Sequence, residues 1–338
     1  MSNASDSIGW GIVATGKIAR SFAADLALVP GAHLAAVGSR SEGSARAFAE
    51  RYGDGRTRAH GSYEALVADA GVDVVYIATP HALHLAGARA AFEAGKHVLC
   101  EKPVTLRAAD AEEMVRLAGE HDRFLMEAMW TACHPVIREL RRELASGRFG
   151  TPRHVAAELG FRVDADPTDR MLAPELGGGA LLDMGIYPLT FAHLLLGEAE
   201  DLRGVATVAP SGVDLDIAIA GRYPGGAVAT LHASMTSWSS RAASIATDLG
   251  RITLDGDFHH PTAAVFTPIG RPDQQITLTG DEPVIGRGYG NEIAEVDRCL
   301  GEGLRESPLV PHEQTLTVLR QMDGLRADLG IRYPDDPA

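Results

Sequence analysis

The chain has 338 residues, 45% hydrophobic and 22% charged, a balance that excludes a disordered chain and, at ~150 residues per domain, predicts about two domains. Its 31 basic and 45 acidic side chains leave a formal charge of −14, which repels phosphate backbones and anionic lipid, so neither nucleic acid nor membrane is an expected partner. The cysteines Cys100, Cys133 and Cys299 are too scattered for a disulfide framework or a zinc knuckle.

Residues 1–7 are small and polar, with no basic region followed by an apolar run, so no secretory signal is expected. No apolar stretch is expected to reach the ~18 residues of a membrane span. A reducing cytoplasm is the expected compartment.

Short apolar runs at 8–13, 33–38, 74–78, 97–100 and 124–126 predict buried strands. Amphipathic segments at 17–29, 44–51, 63–70, 83–94 and 108–121 predict the helices between them. Alternation on this spacing predicts βαβ units, and so an α/β domain with a Rossmann-type, doubly wound parallel sheet over residues 1–126. Helices are then expected at 135–146 and 180–196. Strand-like runs follow at 205–208, 215–219, 227–234, 245–248, 252–254 and 263–266, with closing helices at 290–301 and 312–329. Consecutive strands without intervening helices predict an antiparallel sheet, so residues 127–338 form an α+β domain whose last helix can pack back on the first. The cleft between two such domains is the default ligand site.

The turn after the first strand reads Gly11-Ile12-Val13-Ala14-Thr15-Gly16-Lys17-Ile18. Small residues at Gly11, Ala14 and Gly16 allow a sharp turn and the approach of a pyrophosphate to the next helix N-terminus, with Thr15, Lys17 and Ile18 completing the turn. The spacing departs from G-x-G-x-x-G. It also approaches a P-loop, but Ile18 stands where that motif needs a Ser or Thr hydroxyl for magnesium. The second strand ends at Gly38-Ser39-Arg40-Ser41, where an NAD site would place a carboxylate for the ribose 2′-OH. Arg40, with Ser39 beside it, suits a 2′-phosphate instead and predicts NADP over NAD; the alternative is a solvated surface arginine.

Four further segments occur in a telling order: Thr79-Pro80-His81-Ala82-Leu83-His84, Glu101-Lys102-Pro103, Met126-Glu127-Ala128-Met129-Trp130, and Gly177-Gly178-Gly179-Ala180-Leu181-Leu182-Asp183-Met184-Gly185-Ile186-Tyr187. With them the chain resembles, over nearly its whole length, the glucose–fructose oxidoreductase, inositol 2-dehydrogenase and MocA family. Within it the chain is most similar to the branch of dimeric dihydrodiol dehydrogenases and NADP-dependent D-xylose dehydrogenases. The resemblance implies that the second sheet is open, mostly antiparallel, and an interface for a homo-oligomer, a dimer or tetramer. Many members carry Asp-x-Gly-x-His-x-x-Asp; here Tyr187 stands for the His and Thr190 for the last carboxylate, which counts against an inositol dehydrogenase.

Oxidising an alcohol needs an acceptor for its hydroxyl proton. A free tyrosine, with a pKa near ~10, is a poor base until an ammonium favours its phenolate. The resemblance places Lys102 at the nicotinamide, where it can lower the pKa of Tyr187 and steady the alkoxide. Asp183, four residues before Tyr187, is expected on the same helix face, orienting Lys102 or a substrate hydroxyl. Without the resemblance these three read as a surface lysine, a core tyrosine and a helix-surface carboxylate. The resemblance further implies that Thr79, Pro80, His81 and His84 line the cofactor, with His84 toward the nicotinamide. It makes Glu101 a ribose contact and Trp130 a wall of the nicotinamide pocket. His81 and His84 lack a third ligand at metal spacing, so no metal is expected, and His259-His260 read as a solvated loop. The expected activity is hydride transfer between NADP and a sugar or cyclic vicinal diol, with a small carbohydrate or diol as the partner molecule. A reductase of keto- or anhydro-sugars and a non-catalytic dinucleotide sensor are the alternatives.

Overall fold

The computed structural model describes residues 7–163, 170–334 and 336. The chain divides into two compact units, Met1–Cys133 with Val284–Thr315, and His134–Pro283 with Leu316–Ala338. The division therefore runs after Cys133 rather than after 126, and a late segment that the sequence places in the second domain returns to the first unit. Buried polar contacts hold it there. Asp25 accepts the backbone N–H groups of Arg287 at 2.7 Å and Tyr289 at 3.1 Å, and the Trp10 indole donates to Asp297 at 3.2 Å.

The first unit is a six-stranded sheet of β1 (Ile8–Val13), β2 (Ala32–Gly38), β3 (Arg58–His60), β4 (Val74–Ile77), β5 (His97–Glu101) and β6 (Leu125–Ala128), in the order β3-β2-β1-β4-β5-β6. Every pair is parallel. The connecting helices are α1 (Lys17–Leu26), α2 (Glu42–Tyr52), α3 (Tyr63–Val67), α4 (His84–Glu93), α5 (Ala108–Glu120) and the short α6 (Trp130–Cys133). All of β4 is buried, as a strand covered on both faces must be, which is why its sequence is a continuous apolar run. β3 is absent from the sequence expectations because a three-residue edge strand carrying Arg58 and His60 has no apolar run to announce it. The strand order reverses between β1 and β4, where open α/β sheets bind ligands beyond the carboxyl ends of their strands.

The second unit begins with α7 (Pro135–Ala145) and contains an eight-stranded sheet of β7 (Pro152–Gly160), β8 (Asp201–Val208), β9 (Asp214–Arg222), β10 (Val228–Ser234), β11 (Ala243–Thr247), β12 (Gly250–Leu254), β13 (Ala264–Pro268) and β14 (Ile276–Leu278). The order is β14-β13-β12-β11-β7-β10-β9-β8, antiparallel except for the parallel pair β7–β10. β7 is not expected from the sequence, because its Ala156-Ala157-Glu158 centre carries residues typical of helices. Its place between β10 and β11 overrides that propensity. Helix α8 (Ile186–Leu196) packs on β7 and β10. The chain closes with α9 (Tyr289–Gly301), in the first unit, and α10 (His312–Leu329), whose Leu325 lies beside Gly204 of β8.

The sheet face away from α8 is concave, with a cavity of about 770 Å³ over Ala156, Ala218, Ala220, Thr230 and Ser244. That face is lined largely by small and apolar side chains, Val205 among them, with Glu158, Arg203 and His232 interspersed. One run, Pro174–Leu196, has the length and apolar character of a membrane span, which overturns the expectation that no stretch does. Of its 18 most apolar consecutive residues 78% are buried inside the structure, and the run is not one regular α-helix. A 3₁₀ turn at Pro174–Leu176, glycines with positive φ at 177 and 179, and a π turn at Leu181–Gly185 precede α8.

Candidate active site

At the carboxyl end of β1, Ala14 takes a left-handed φ of 80° and its N–H donates to Gly38 O at 2.9 Å, closing the turn onto β2. Gly16 caps α1 without a side-chain hydrogen bond, no acidic residue occupies the first turn, and a Cβ on Gly16 would meet nothing within 4 Å. The first-turn N–H groups of a helix have no intrahelical partner, so this terminus suits an anion. Thr15 and Ile18 are half-buried around it and Lys17 is exposed. Gly11 has a different reason from the expected approach of phosphate. A Cβ there would come within 2.9 Å of Val72 and 3.1 Å of Leu66, so the glycine lets α3 and its following turn pack on β1.

Ser39 is half-buried after β2, with its N–H on His60 O at 3.1 Å. Arg40 is exposed and makes no ion pair among the described residues. At the end of β4, Thr79 Oγ1 is buried with no hydrogen-bond partner among the described residues, next to Pro80 and the buried His81. An open helix terminus, an orphaned hydroxyl and an uncommitted guanidinium fit a dinucleotide that carries an additional phosphate.

Lys102 follows β5 and is half-buried, and its peptide bond to Pro103 is cis. Its backbone is fixed on every side. Glu101 accepts from Lys102 N at 3.2 Å and from the Tyr76 hydroxyl, while the Tyr76 ring stacks on Phe22 at 3.7 Å. Burial and the neighbouring Glu101 carboxylate push the Tyr76 hydroxyl well above its usual range, so it stays a donor. Glu127 accepts Val104 N at 3.0 Å and the Thr315 hydroxyl at 2.9 Å. His84 is enclosed, at 0% exposure, with its ring nitrogens 3.0 Å from the carbonyl oxygens of Pro103 and Thr79. Burial lowers its pKa to about 4, against the pull of those carbonyls, and the ring braces the two backbone segments it joins.

Trp130 stacks face to face on Tyr289 of α9, ring centroids 4.4 Å apart and planes 3° from parallel. Neither Tyr289 nor Glu292, one turn further along, is singled out by the sequence, because both sit far along the chain from the motifs they join. Glu292 is fully buried, and burial together with Glu101 and Asp25 raises its carboxyl well above the usual range.

Asp183 and Tyr187 lie on the second unit, both buried. The turn before them is held by two groups that spacing does not reveal. The Tyr333 hydroxyl donates to Gly178 O at 2.6 Å, and Asp214 accepts Leu181 N at 2.6 Å. A Cβ on Gly179, whose φ is +126°, would lie 2.5 Å from Asp214 Oδ1. Asp183 falls within the π turn and Tyr187 within α8, so the expected single regular turn between them is replaced by a wider one. Asp183 pairs with Arg170 at 3.5 Å. The Tyr187 ring lies 4.9 Å from that of His259, so His259-His260, expected in a solvated loop, are half-buried and one of them touches the tyrosine.

Residues 8–129 match an oxidoreductase family described as an NAD-binding Rossmann fold, and residues 137–256 match the GFO/IDH/MocA C-terminal domain. The chain is 33% identical to trans-1,2-dihydrobenzene-1,2-diol dehydrogenase of Bos taurus, over 97% of this chain and 98% of that one. It is also 33% identical to D-xylose 1-dehydrogenase (NADP(+)) of Hypocrea jecorina, over 96% and 93%. A 3-ketoreductase from Actinomadura kijaniata, solved with NADP and TDP-benzene, superposes with a TM-score of 0.83 at 27% identity, covering 95% of this chain and 97% of that one. That protein has also been solved as a lysine-to-alanine and as a tyrosine-to-phenylalanine variant.

Asp214 gives the second unit a pH dependence. Burial raises its carboxyl from 3.8 to about 6, against the lowering effect of Leu181 N–H. The folded state therefore holds this proton more tightly than the unfolded chain does. Its stabilising contribution is full below pH 3.8 and is lost as pH rises through about 6. Asp214→Asn is expected to remove that slope. Relative to wild type, the variant should gain about 3 kcal/mol between acidic and neutral pH, read from urea unfolding at a series of pH values.

Proposed function

Because the chain belongs to the oxidoreductase family that joins an NAD-binding Rossmann fold to a GFO/IDH/MocA C-terminal domain, we propose that it is an NADP-dependent dehydrogenase of sugars or cyclic vicinal diols. When bound, NADP supplies the hydride acceptor. The turn from Ala14 to Ile18 would hold its pyrophosphate, Ser39 and Arg40 its 2′-phosphate, and Thr79 and Trp130 the nicotinamide side. Tyr187 takes the hydroxyl proton as the carbonyl forms. Lys102 favours the phenolate and donates to the oxygen as negative charge develops on it, and Asp183 orients these groups. The reverse reaction, reduction of a keto-sugar, uses the same groups with the proton returning from Tyr187.

The observation that carries this reading is the set of buried bonds around Lys102. Glu101, Glu127 and His84 fix the backbone on both sides of the half-buried Lys102 side chain. Such rigidity is what holding an ammonium against a reacting oxygen requires. The small-residue face of the second sheet is the proposed surface for pairing with a second copy. The dihydrodiol and xylose dehydrogenases matched over nearly their full length support the substrate class.

Three outcomes check these assignments. Absorbance of reduced nicotinamide, followed with NADP and a panel of aldoses, dihydrodiols and keto-sugars, should reveal turnover. Tyr187→Phe and Lys102→Met should each lower it ~10²–10⁴-fold with little change in NADP affinity, and the double variant should fall far short of the product of the two. A binding-competent protein with no turnover on any substrate would instead be a sensor. Arg40→Ala should weaken NADP about tenfold to a hundredfold and leave NAD binding nearly unchanged, by titration of cofactor fluorescence. Analytical ultracentrifugation should give a dimer or larger, and arginine in place of Ala218 and Ala220 should dissociate it; a monomer at micromolar concentration would reject the pairing.

A further inference from the structure

His259 stands beside the proposed acid–base group and has no part in the scheme above. It belongs to the loop that follows β12, and that loop is docked on α8 by two adjacent aromatic contacts. Phe258 is fully buried and meets Phe191 edge-on, centroids 5.2 Å apart at 68°. Phe191 is one helical turn beyond Tyr187. His259 lies over Tyr187 at 4.9 Å and 51°, so two neighbours on the loop engage two residues on one face of the helix.

The loop is held firmly in that position. Phe258 N donates to Arg241 O at 3.0 Å, and Arg241 pairs with Asp257 at 2.8 Å while lying 4.6 Å over the Trp238 ring. Asp257 and Arg241 both take positive φ, 29° and 55°, a cost for non-glycine residues that persists where surrounding contacts impose it. A ring nitrogen or carboxylate oxygen from each of Asp257, His259 and His260 lies within 4.8 Å of the others, and all three residues are half-buried, with His259 Nδ1 itself buried.

A base that takes a proton in every oxidation must lose it before the next. Resting on the assignment of Tyr187 as the acid–base group, we propose that His259 is its proton relay to solvent. In oxidation the substrate O–H bond breaks and a Tyr187 O–H bond forms, while the carbon bearing that oxygen loses its hydride, for which bound NADP would be the acceptor. The phenol then passes its proton to a ring nitrogen of His259, directly or through one water, which restores the phenolate. The imidazolium gives that proton to water by way of His260, so one proton leaves for each hydride transferred. Reduction runs the same route inward.

The charged groups around the ring suit this traffic. On its own loop, Asp257 favours the imidazolium and His260 opposes it. Arg241, which also opposes it, is tied to Asp257. From α8 and the π turn come Tyr187 itself and Asp183, the latter paired with Arg170. Beside the N-terminus of α7, His134 faces His260; burial and then His260 lower its pKa to about 4, so it adds no charge near neutral pH.

The test separates the ring's proton from its shape. His259→Phe keeps an aromatic face on Tyr187 and carries no proton. It should lower turnover tenfold or more with unchanged KM and unchanged NADP affinity, and flatten the limb of the pH profile that Tyr187 sets. His259→Ala should lose as much and recover several-fold when free imidazole is added. Wild-type turnover in His259→Phe overturns the relay, and so does a deficit in His259→Ala that imidazole leaves untouched. Should His259→Phe fail to fold, judged by circular dichroism and NADP binding, His259→Gln takes its place under the same criteria. Normal turnover in Tyr187→Phe would reject the underlying assignment, whereas a crippled Tyr187→Phe beside a normal His259→Phe would reject the relay alone.

Discussion

A carboxylate removed from water has to be given donors, and here many of those donors are backbone N–H groups. Glu101 takes the N–H of Lys102, Glu127 that of Val104, Asp25 those of Arg287 and Tyr289, and Asp214 that of Leu181. Each bond pins a piece of chain that no regular element would hold: the strand end at Lys102, the start of α9, and the turn leading to Asp183. Removing any one of these carboxylates leaves a buried N–H without its acceptor, a loss of roughly 1–3 kcal/mol that falls on the geometry of the site as much as on stability.

The two units fix the proposed reacting groups in different ways. On the first, Lys102 directly follows an interior strand of a fully parallel sheet, and rigidity comes from strands on both sides and from the His84 ring. On the second, Tyr187 sits near the start of a helix approached through a wide π turn and two left-handed glycines. That turn owes its shape to outside contacts from Tyr333, Asp214 and the Phe258–His259 loop. A helix end that depends on remote partners can be re-aimed by changing them, whereas the chain at Lys102 is set by contacts within its own unit.

Much of this was legible in the sequence, wherever the physics is local. Buried parallel strands must be apolar on both faces, so β1, β2, β4 and β5 announce themselves, and the small-residue turn at 14–16 and Arg40 follow from where those strands end. What escaped depends on contacts distant in sequence. β7 looks helical until β10 and β11 flank it. Gly11 looks like a phosphate glycine until Val72 and Leu66 are seen against it. Tyr289 and Glu292 reach the Trp130 and Glu101 neighbourhoods only because residues 284–315 return to the first unit. His259 had the right chemistry in plain view, but only the fold puts its ring on Tyr187.

That return also sets an order of events during synthesis. Domains tend to fold as units while the chain leaves the ribosome. Here the nascent Rossmann sheet emerges complete in its strands yet without the segment that supplies Tyr289 and satisfies the Asp25 carboxylate. The whole of the second sheet is translated before that segment appears. The nascent first unit must therefore wait with an uncovered flank, and chaperone occupancy should be greatest over that interval of translation. A stalled or truncated message ending between β14 and α9 would yield a chain that contains every strand of both sheets and still no finished domain at its front.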